Sequence, residues 1–278
     1  MPSRVVILVE NTAPLPGLRG EYGFAALIEH GGKKVLFDTG SHDALIHNSM
    51  VLGIDLSDLD AVIISHGHFD HTGGLRPLIE KHHIPVIYAH PRLFYPRPFP
   101  LGNGTYREIG CAFSRQDIES RDIRLEEVDS FREIWPGVCI SGEIPRRTGY
   151  EDVGGHFKVN INGQILDDHI PDDMALIIKS GEGLVIVSGC AHAGMVNIIN
   201  YALTKTGADK ITAFIGGTHL ITASEERLQK TVADLKKINV DKIILSHCSG
   251  FYAAARLYNE LGAKVIKGDA GMAFTFEG

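Results

Sequence analysis

Short apolar, β-branched runs recur along the chain, each ended by Gly, Asp, Ser or His, and each predicts a strand. The first are "RVVILVE" (4–10) and "GFAALIEHGGKKVLFDTG" (23–40), where Gly31-Gly32 predicts a hairpin turn. Others are "DAVIIS" (60–65), "PVIYA" (85–89), "VCISGEI" (138–144), "MALIIKSGEGLVIVSG" (174–189), "ITAFIGG" (211–217), "KIILS" (242–246) and "AKVIK" (263–267). Helical periods alternate with strands in the second half. "SEERLQKTVADLKKI" (224–238) sets Leu228, Val232, Leu235 and Ile238 on one face behind Ser224 as N-cap. "AGMVNIINYALTKTG" (193–207) and "FYAAARLYNELG" (251–262) each end on a glycine suited to a C-cap. The stretch 91–137 breaks this rhythm. It starts within "HPRLFYPRPFPLGNG", whose four prolines and the charges that follow predict an irregular insertion or lid.

Four of the predicted strands run into a small residue and then a histidine, at His66, His192, His219 and His247. In open α/β sheets, ligands sit beyond the carboxyl ends of the strands, so these four are expected on one rim. The densest stretch is "ISHGHFDHTGG" (64–74), which holds His66, His68, Asp70 and His71. Residues two apart on an extended segment point the same way, so His66 and His68 suit one metal ion. Asp70 and His71, one turn on, suit a second. Mixed imidazole and carboxylate donors fit zinc, iron or manganese, and pairs of ions about 3.5–4 Å apart are a recurring catalytic arrangement. A polar loop whose histidines cap a helix would explain one or two of these groups, but not all four.

Composition narrows the partners. The chain has 278 residues, 44% of them hydrophobic, enough for one large α/β domain or two smaller ones. Its net charge of −7 is well mixed, with no basic run or aromatic-basic interleaving, so nucleic acid is not an expected partner. Five apolar residues between Arg4 and Glu10 are too few for a signal peptide or membrane span. The expectation is a cytoplasmic protein without a membrane partner. Cys111, Cys139, Cys190 and Cys248 are far apart with no CxxC, which argues for reduced thiols. Two of them, in "GCAH" and "SHCSG", stand beside histidines. There is no Walker-type glycine loop, and "GGTHL" is not a dinucleotide fingerprint.

His66-x-His68-x-Asp70-His71 followed by Gly73-Gly74 resembles the signature of the metallo-β-lactamase-fold superfamily. "LFDTG" (36–40) resembles that superfamily's first motif, whose aspartate, Asp38 here, supports the metal-binding loop. "GLVIVSGCAHAG" (183–194) and "IILSHCSG" (243–250) fall where its later ligands are carried. "HGHFDHTGGL", "GCAHAGMVNI", "IGGTHL" and "HCSG" together look most like the dihydropterin synthase-like subgroup. Some of its members are 7,8-dihydropterin-6-methyl-4-(β-D-ribofuranosyl)aminobenzene-5′-phosphate synthases, and many others are called metal-dependent hydrolases. The resemblance runs from about residue 5 to 276. It implies a single α/β domain over 1–278, a four-layer αββα sandwich of two mixed sheets with helices outside. It also implies two divalent ions, zinc before iron or manganese, on His66, His68, Asp70, His71, His192 and His247.

The chain departs from the wider pattern in its later motifs. There is no PGHT; "HIPDDMAL" (169–176) lies over that motif with His169 in place, but Asp172-Asp173 replace its glycine region. The later Gly-Asp is replaced by Gly189-Cys190, with His192 two residues on. His192 is therefore preferred as the ligand, and His169 as an exposed loop residue. Cys190 is either a thiolate replacing the bridging carboxylate or a small buried thiol under the strand end. His219 either meets substrate or supports a ligand, or it simply caps the Gly-Gly turn. Cys248 would point away from the ligands on a continuing strand and is expected in the core.

Such a centre predicts a hydrolase that uses metal-bound hydroxide on an ester, phosphoester or related bond, with Asp70 handling a proton. Metal coordination brings the pKa of water down towards about 7. The alternative is a transferase that joins a dihydropterin to the ribofuranosylaminobenzene phosphate and releases pyrophosphate. A third class is a non-hydrolytic iron redox or metal-binding protein. The expected partner is a small molecule, phosphorylated in the transferase case, and self-association into a homo-oligomer is compatible with the chain. Arg97 among the arginines of 91–150, and His156 in "VGGHF", are the candidate substrate contacts.

Overall fold

Two seven-stranded mixed sheets pack face to face in the computed structural model, which describes residues 2–277. From edge to edge the first sheet runs Ala273–Phe276, Ser3–Val9, Ala25–His30, Lys33–Phe37, Ala61–Ile63, Val86–Ala89 and Arg124–Glu127. The second runs Val265–Lys267, Val240–Leu245, Ile211–Gly216, Gly183–Ser188, Ala175–Ser180, Val138–Ile140 and Arg132–Trp135. Alternate residues supply alternate layers. Val5, Ile7 and Ile28 of the first sheet meet Leu176, Val185 and Val187 of the second in the central core. Their neighbours Val6, Leu8 and Leu27 point outwards, under helices Ala44–Val51 and Leu75–Lys81. Ile177, Ile186 and Phe214 do the same under Met195–Thr206, Glu225–Leu235 and Phe251–Leu261. Both faces of each sheet are covered, which is why the strands read as continuous apolar runs. The expected four-layer αββα sandwich is the observed fold.

Local signals behave as their chemistry dictates. Gly31 and Gly32 both adopt positive φ, 58° and 77°, and close a two-residue hairpin between Ala25–His30 and Lys33–Phe37. Ser224 Oγ accepts from the Arg227 amide at 3.1 Å and caps its helix.

The stretch 91–137 is more ordered than its prolines suggest. It holds a small hairpin, Pro98–Pro100 with Tyr106–Glu108, and a helix, Arg115–Glu119, that begins with a Ser114–Asp117 capping box. It then gives one edge strand to each sheet, Arg124–Glu127 and Arg132–Trp135. Those strands read as loop because edges carry charge, here "RLEE" and "REIW", which deters pairing with other chains.

Strands Lys33–Phe37 and Ala61–Ile63 run parallel, as do Gly183–Ser188, Ile211–Gly216 and Val240–Leu245 in the other sheet. Their carboxyl ends open on one rim, where the histidines gather. Among the described residues, no helix is long and apolar enough to cross a membrane.

Candidate metal centre

The loop after Ala61–Ile63 is held open from below. Asp38, fully buried, accepts from the Ser65 amide and hydroxyl at 2.7 Å each and faces His71 Nδ1 at 2.7 Å. One carboxylate thereby sets the start of the loop and the orientation of His71. Gly67, between His66 and His68, donates its amide to Asp172 Oδ2 at 2.9 Å. A Cβ at Gly67 would collide with the Leu93 carbonyl and the Arg97 guanidinium, so only glycine fits.

The ligand-type side chains assemble into two triads that share a thiol. His66, His68 and His192 bring donor atoms within 4.8 Å of one another, and so do Asp70, His71 and His247. Cys190 groups with His66 and His71, one from each triad, its Sγ 3.2 Å from His71 Nε2. Outer partners hold the far nitrogens: Ser65 Oγ at His66 Nδ1 (2.9 Å), the Val153 carbonyl at His192 Nδ1 (2.7 Å), and Asn11 Oδ1 at His247 Nδ1 (2.9 Å). The inner nitrogens are left over. His68 Nε2 and His192 Nε2 are buried without a hydrogen-bond partner, His66 Nε2 faces His68 Nδ1 at 3.0 Å, and His247 Nε2 faces Asp70 Oδ2 at 3.2 Å. Buried polar atoms are rarely left unpaired, so imidazoles fixed from outside and free inside fit divalent cations. Backbone strain clusters in the same place: Asp38, Ala191, His219 and His247 all hold φ between 46° and 59°.

His219 packs against His192 with ring centroids 4.3 Å apart and planes tilted by 39°. Its Nδ1 is unpaired beneath Gly154, and Cys190, His192 and His219 bring donor atoms within 4.8 Å of one another. The cavity, of about 1020 Å³, is lined by Tyr22, Phe69, Phe99 and Phe157 beside Asp70, Cys190, His192 and His219. His156 lies on its exposed rim, and His169 is exposed away from it.

Arg97 does not meet the cavity, contrary to expectation. It is 1% exposed, with Nε 3.0 Å from Asp168 and Nη2 2.6 Å from Asp172, so its charge is spent inside the protein. Through Asp172 it braces Gly67. Cys248 also departs from expectation. It is buried, but the chain turns into a short 3-10 helix, His247–Ser249, and this brings its Sγ to 3.3 Å from Cys190 Sγ. Glu10 is a further site residue that no motif marks; its Oε1 receives the His247 amide at 2.6 Å. A buried acid directly after an apolar strand was the available signal.

The two triads differ in how they hold protons. Burial would lower the His71 pKa, but the Asp38 and Asp70 carboxylates overcome it and raise the value to about 9. Burial, with cationic neighbours adding to it, pushes His66, His68 and His192 well below the ordinary histidine value. A ligating imidazole must be unprotonated. The three-histidine triad is therefore ready at neutral pH, whereas an ion at the other triad must displace the His71 proton. Competition titrations of metal-free protein should show affinity rising more steeply with pH, up to about pH 9, at the Asp70 triad than at the three-histidine triad, because only the former must release the His71 proton; identical pH profiles would contradict this asymmetry. Without metal, His71 adds stability in full below pH 6.5, and that stability is lost as pH rises through about 9.

Known proteins resemble this chain along most of its length. The family model for the metallo-beta-lactamase superfamily matches residues 18–148. A 7,8-dihydropterin-6-methyl-4-(beta-D-ribofuranosyl)-aminobenzene-5′-phosphate synthase from Methanocaldococcus jannaschii is 34% identical over 272 residues, spanning 92% of this chain and 90% of that protein. The crystal structure of Tm1679, described as a metal-dependent hydrolase of the beta-lactamase superfamily, superposes with a TM-score of 0.84 at 27% identity, covering 98% of both chains. Zn(2+)-bound PqqB from Methylobacterium extorquens shares the fold, with a TM-score of 0.57 at 14% identity over 98% of this chain and 99% of its own. The chain is an enzyme of the metallo-β-lactamase superfamily, in the dihydropterin synthase-like subgroup.

Proposed function

We propose that the protein is a metal-dependent transferase that joins a dihydropterin carried as its diphosphate to an arylamine, releasing pyrophosphate. The cavity carries this reading. Its walls at Tyr22, Phe69, Phe99 and Phe157 are flat and apolar, suited to stacking planar rings about 4.5–7 Å away. No lysine or arginine lines it among the described residues, so a diphosphate would find cations only at the centre. The whole-length similarity to the M. jannaschii synthase supports the same choice.

Bound at the two triads, divalent ions would supply Lewis acidity towards the leaving-group oxygens. His66, His68 and His192 would hold one, and Asp70, His71 and His247 the other, with Cys190 between them. The protein's own groups do the rest. The aromatic walls orient the pterin and keep water from its reacting carbon. His219, kept neutral by burial, can take the arylamine proton at Nε2. The phosphorylated end of the acceptor would leave through the mouth near exposed His156.

Hydrolysis is the second reading, favoured by the similarity to Tm1679 along its whole length. The two differ in the acceptor. Metal-loaded protein given the pterin diphosphate should release pyrophosphate only when the arylamine is present, and mass spectrometry should find the joined product. Pyrophosphate or phosphate released at the same rate without arylamine would establish the hydrolase instead. No turnover of the donor under either condition removes the transferase.

A further inference from the structure

Beside the two triads lies a buried ligand-type group that belongs to neither, the Cys248 thiol. Its Sγ lies 3.3 Å from Cys190 Sγ, and Cys190, His247 and Cys248 bring donor atoms within 4.8 Å of one another. The protein makes room for this pair. A Cβ at Gly217 would come within 2.7 Å of Cys248 Sγ and 3.1 Å of Cys190 Cα, so the end of strand Ile211–Gly216 passes as bare backbone. The His219 amide donates to Cys248 Sγ at 3.3 Å, which treats the sulfur as an acceptor. The turn that delivers it depends on His247 holding φ 49°, a strained conformation for a side-chain-bearing residue.

We propose that Cys248 is a second sulfur ligand of the metal centre, beside Cys190, and that the pair selects a thiophilic divalent ion. The inference rests on the metal-centre reading and extends it to a residue that the superfamily signature does not include.

Charge favours it. Two divalent ions bring four positive charges, and Asp70 alone among the triad residues is an anion. Each thiol that ligates gives up one proton to solvent and forms one sulfur–metal bond. Two thiolates would bring the centre close to neutral inside a buried site. Soft sulfur donors also discriminate, favouring zinc and iron over magnesium or calcium.

Cobalt(II) reads the number of sulfur ligands independently of turnover. The full chain, reduced and loaded anaerobically, is expected to show a sulfur-to-cobalt charge-transfer band and an X-ray absorption sulfur shell near 2.3 Å. Cys248→Ser should keep its cobalt and lose about a third to a half of that band, depending on whether Cys190 bridges one ion or both. Cys190→Ser gives a second reading that does not depend on Cys248→Ser folding. A sulfur shell surviving there comes from Cys248, since Cys111 and Cys139 are not in the cluster. Loss of all sulfur signal in Cys190→Ser, or an undiminished band in Cys248→Ser, overturns the proposal and leaves Cys248 as a donor to Cys190. Wild-type protein that binds cobalt without any sulfur signal overturns this inference alone. Wild-type protein that binds no cobalt overturns the centre itself.

Discussion

Asp70→Ala and His68→Ala are each expected to cost about a thousandfold or more in turnover, and each to remove one ion rather than both. The geometry separates them. His68 belongs with His66 and His192, and Asp70 with His71 and His247. Asp70 Oδ2 is 3.2 Å from His247 Nε2 and 3.8 Å from His71 Nε2, so its removal strips the only carboxylate from that triad. His68→Ala leaves His66 and His192, even with Cys190 added, short of four-coordinate zinc. Metal content measured beside turnover is the check. Activity that persists in both variants after their ions are lost would show that the centre is not where the reaction occurs. Loss of both ions from either variant would mean that the triads fill only together, through Cys190.

Much of this site was legible because metal ligation needs particular atoms at particular spacings. His66, His68, Asp70 and His71 lie within one loop, and two-residue periodicity already pairs the first two. His192, His219 and His247 were legible as strand ends, since apolar runs that stop at histidine put those histidines on a shared rim. What stayed hidden depends on turns rather than periods. An extended strand would carry Cys248 into the core, but the chain leaves extended geometry at His247. The helix Ala44–Val51 was not anticipated; its buried face includes Asn48 and Ser49, so apolar spacing does not mark it. Asn48 is instead spent on the Leu8 and Arg19 carbonyls, at 2.7 and 2.9 Å. The cavity's aromatic walls come from separate stretches around Tyr22, Phe69, Phe99 and Phe157, which no local window connects.

Arg97 carries the largest expected stability effect, because its role runs through the interior rather than through substrate. Its guanidinium meets Asp168 and Asp172, whose side chains are 4% and 0% exposed. Removing one partner of a buried pair typically costs about 3–5 kcal/mol, mostly from the charge left behind. Arg97→Ala leaves two such carboxylates, and the metal-free protein should lose at least that much in urea unfolding. Arg97→Lys should recover only part, since a single ammonium cannot engage two carboxylates as a planar fork does. A second effect follows through Asp172, which also receives the Gly67 amide. Once that carboxylate is free to move, the His66–His68 spacing loosens, and metal affinity should fall together with stability. Were Arg97 a substrate contact, the pattern would be the reverse, with stability and metal content unchanged and KM alone raised. Replacing Arg97, Asp168 and Asp172 together by apolar residues of similar volume gives the sharper comparison. The buried charges then vanish as a set, so most of the unfolding free energy should return, while the Gly67 amide stays unpaired and metal affinity remains low.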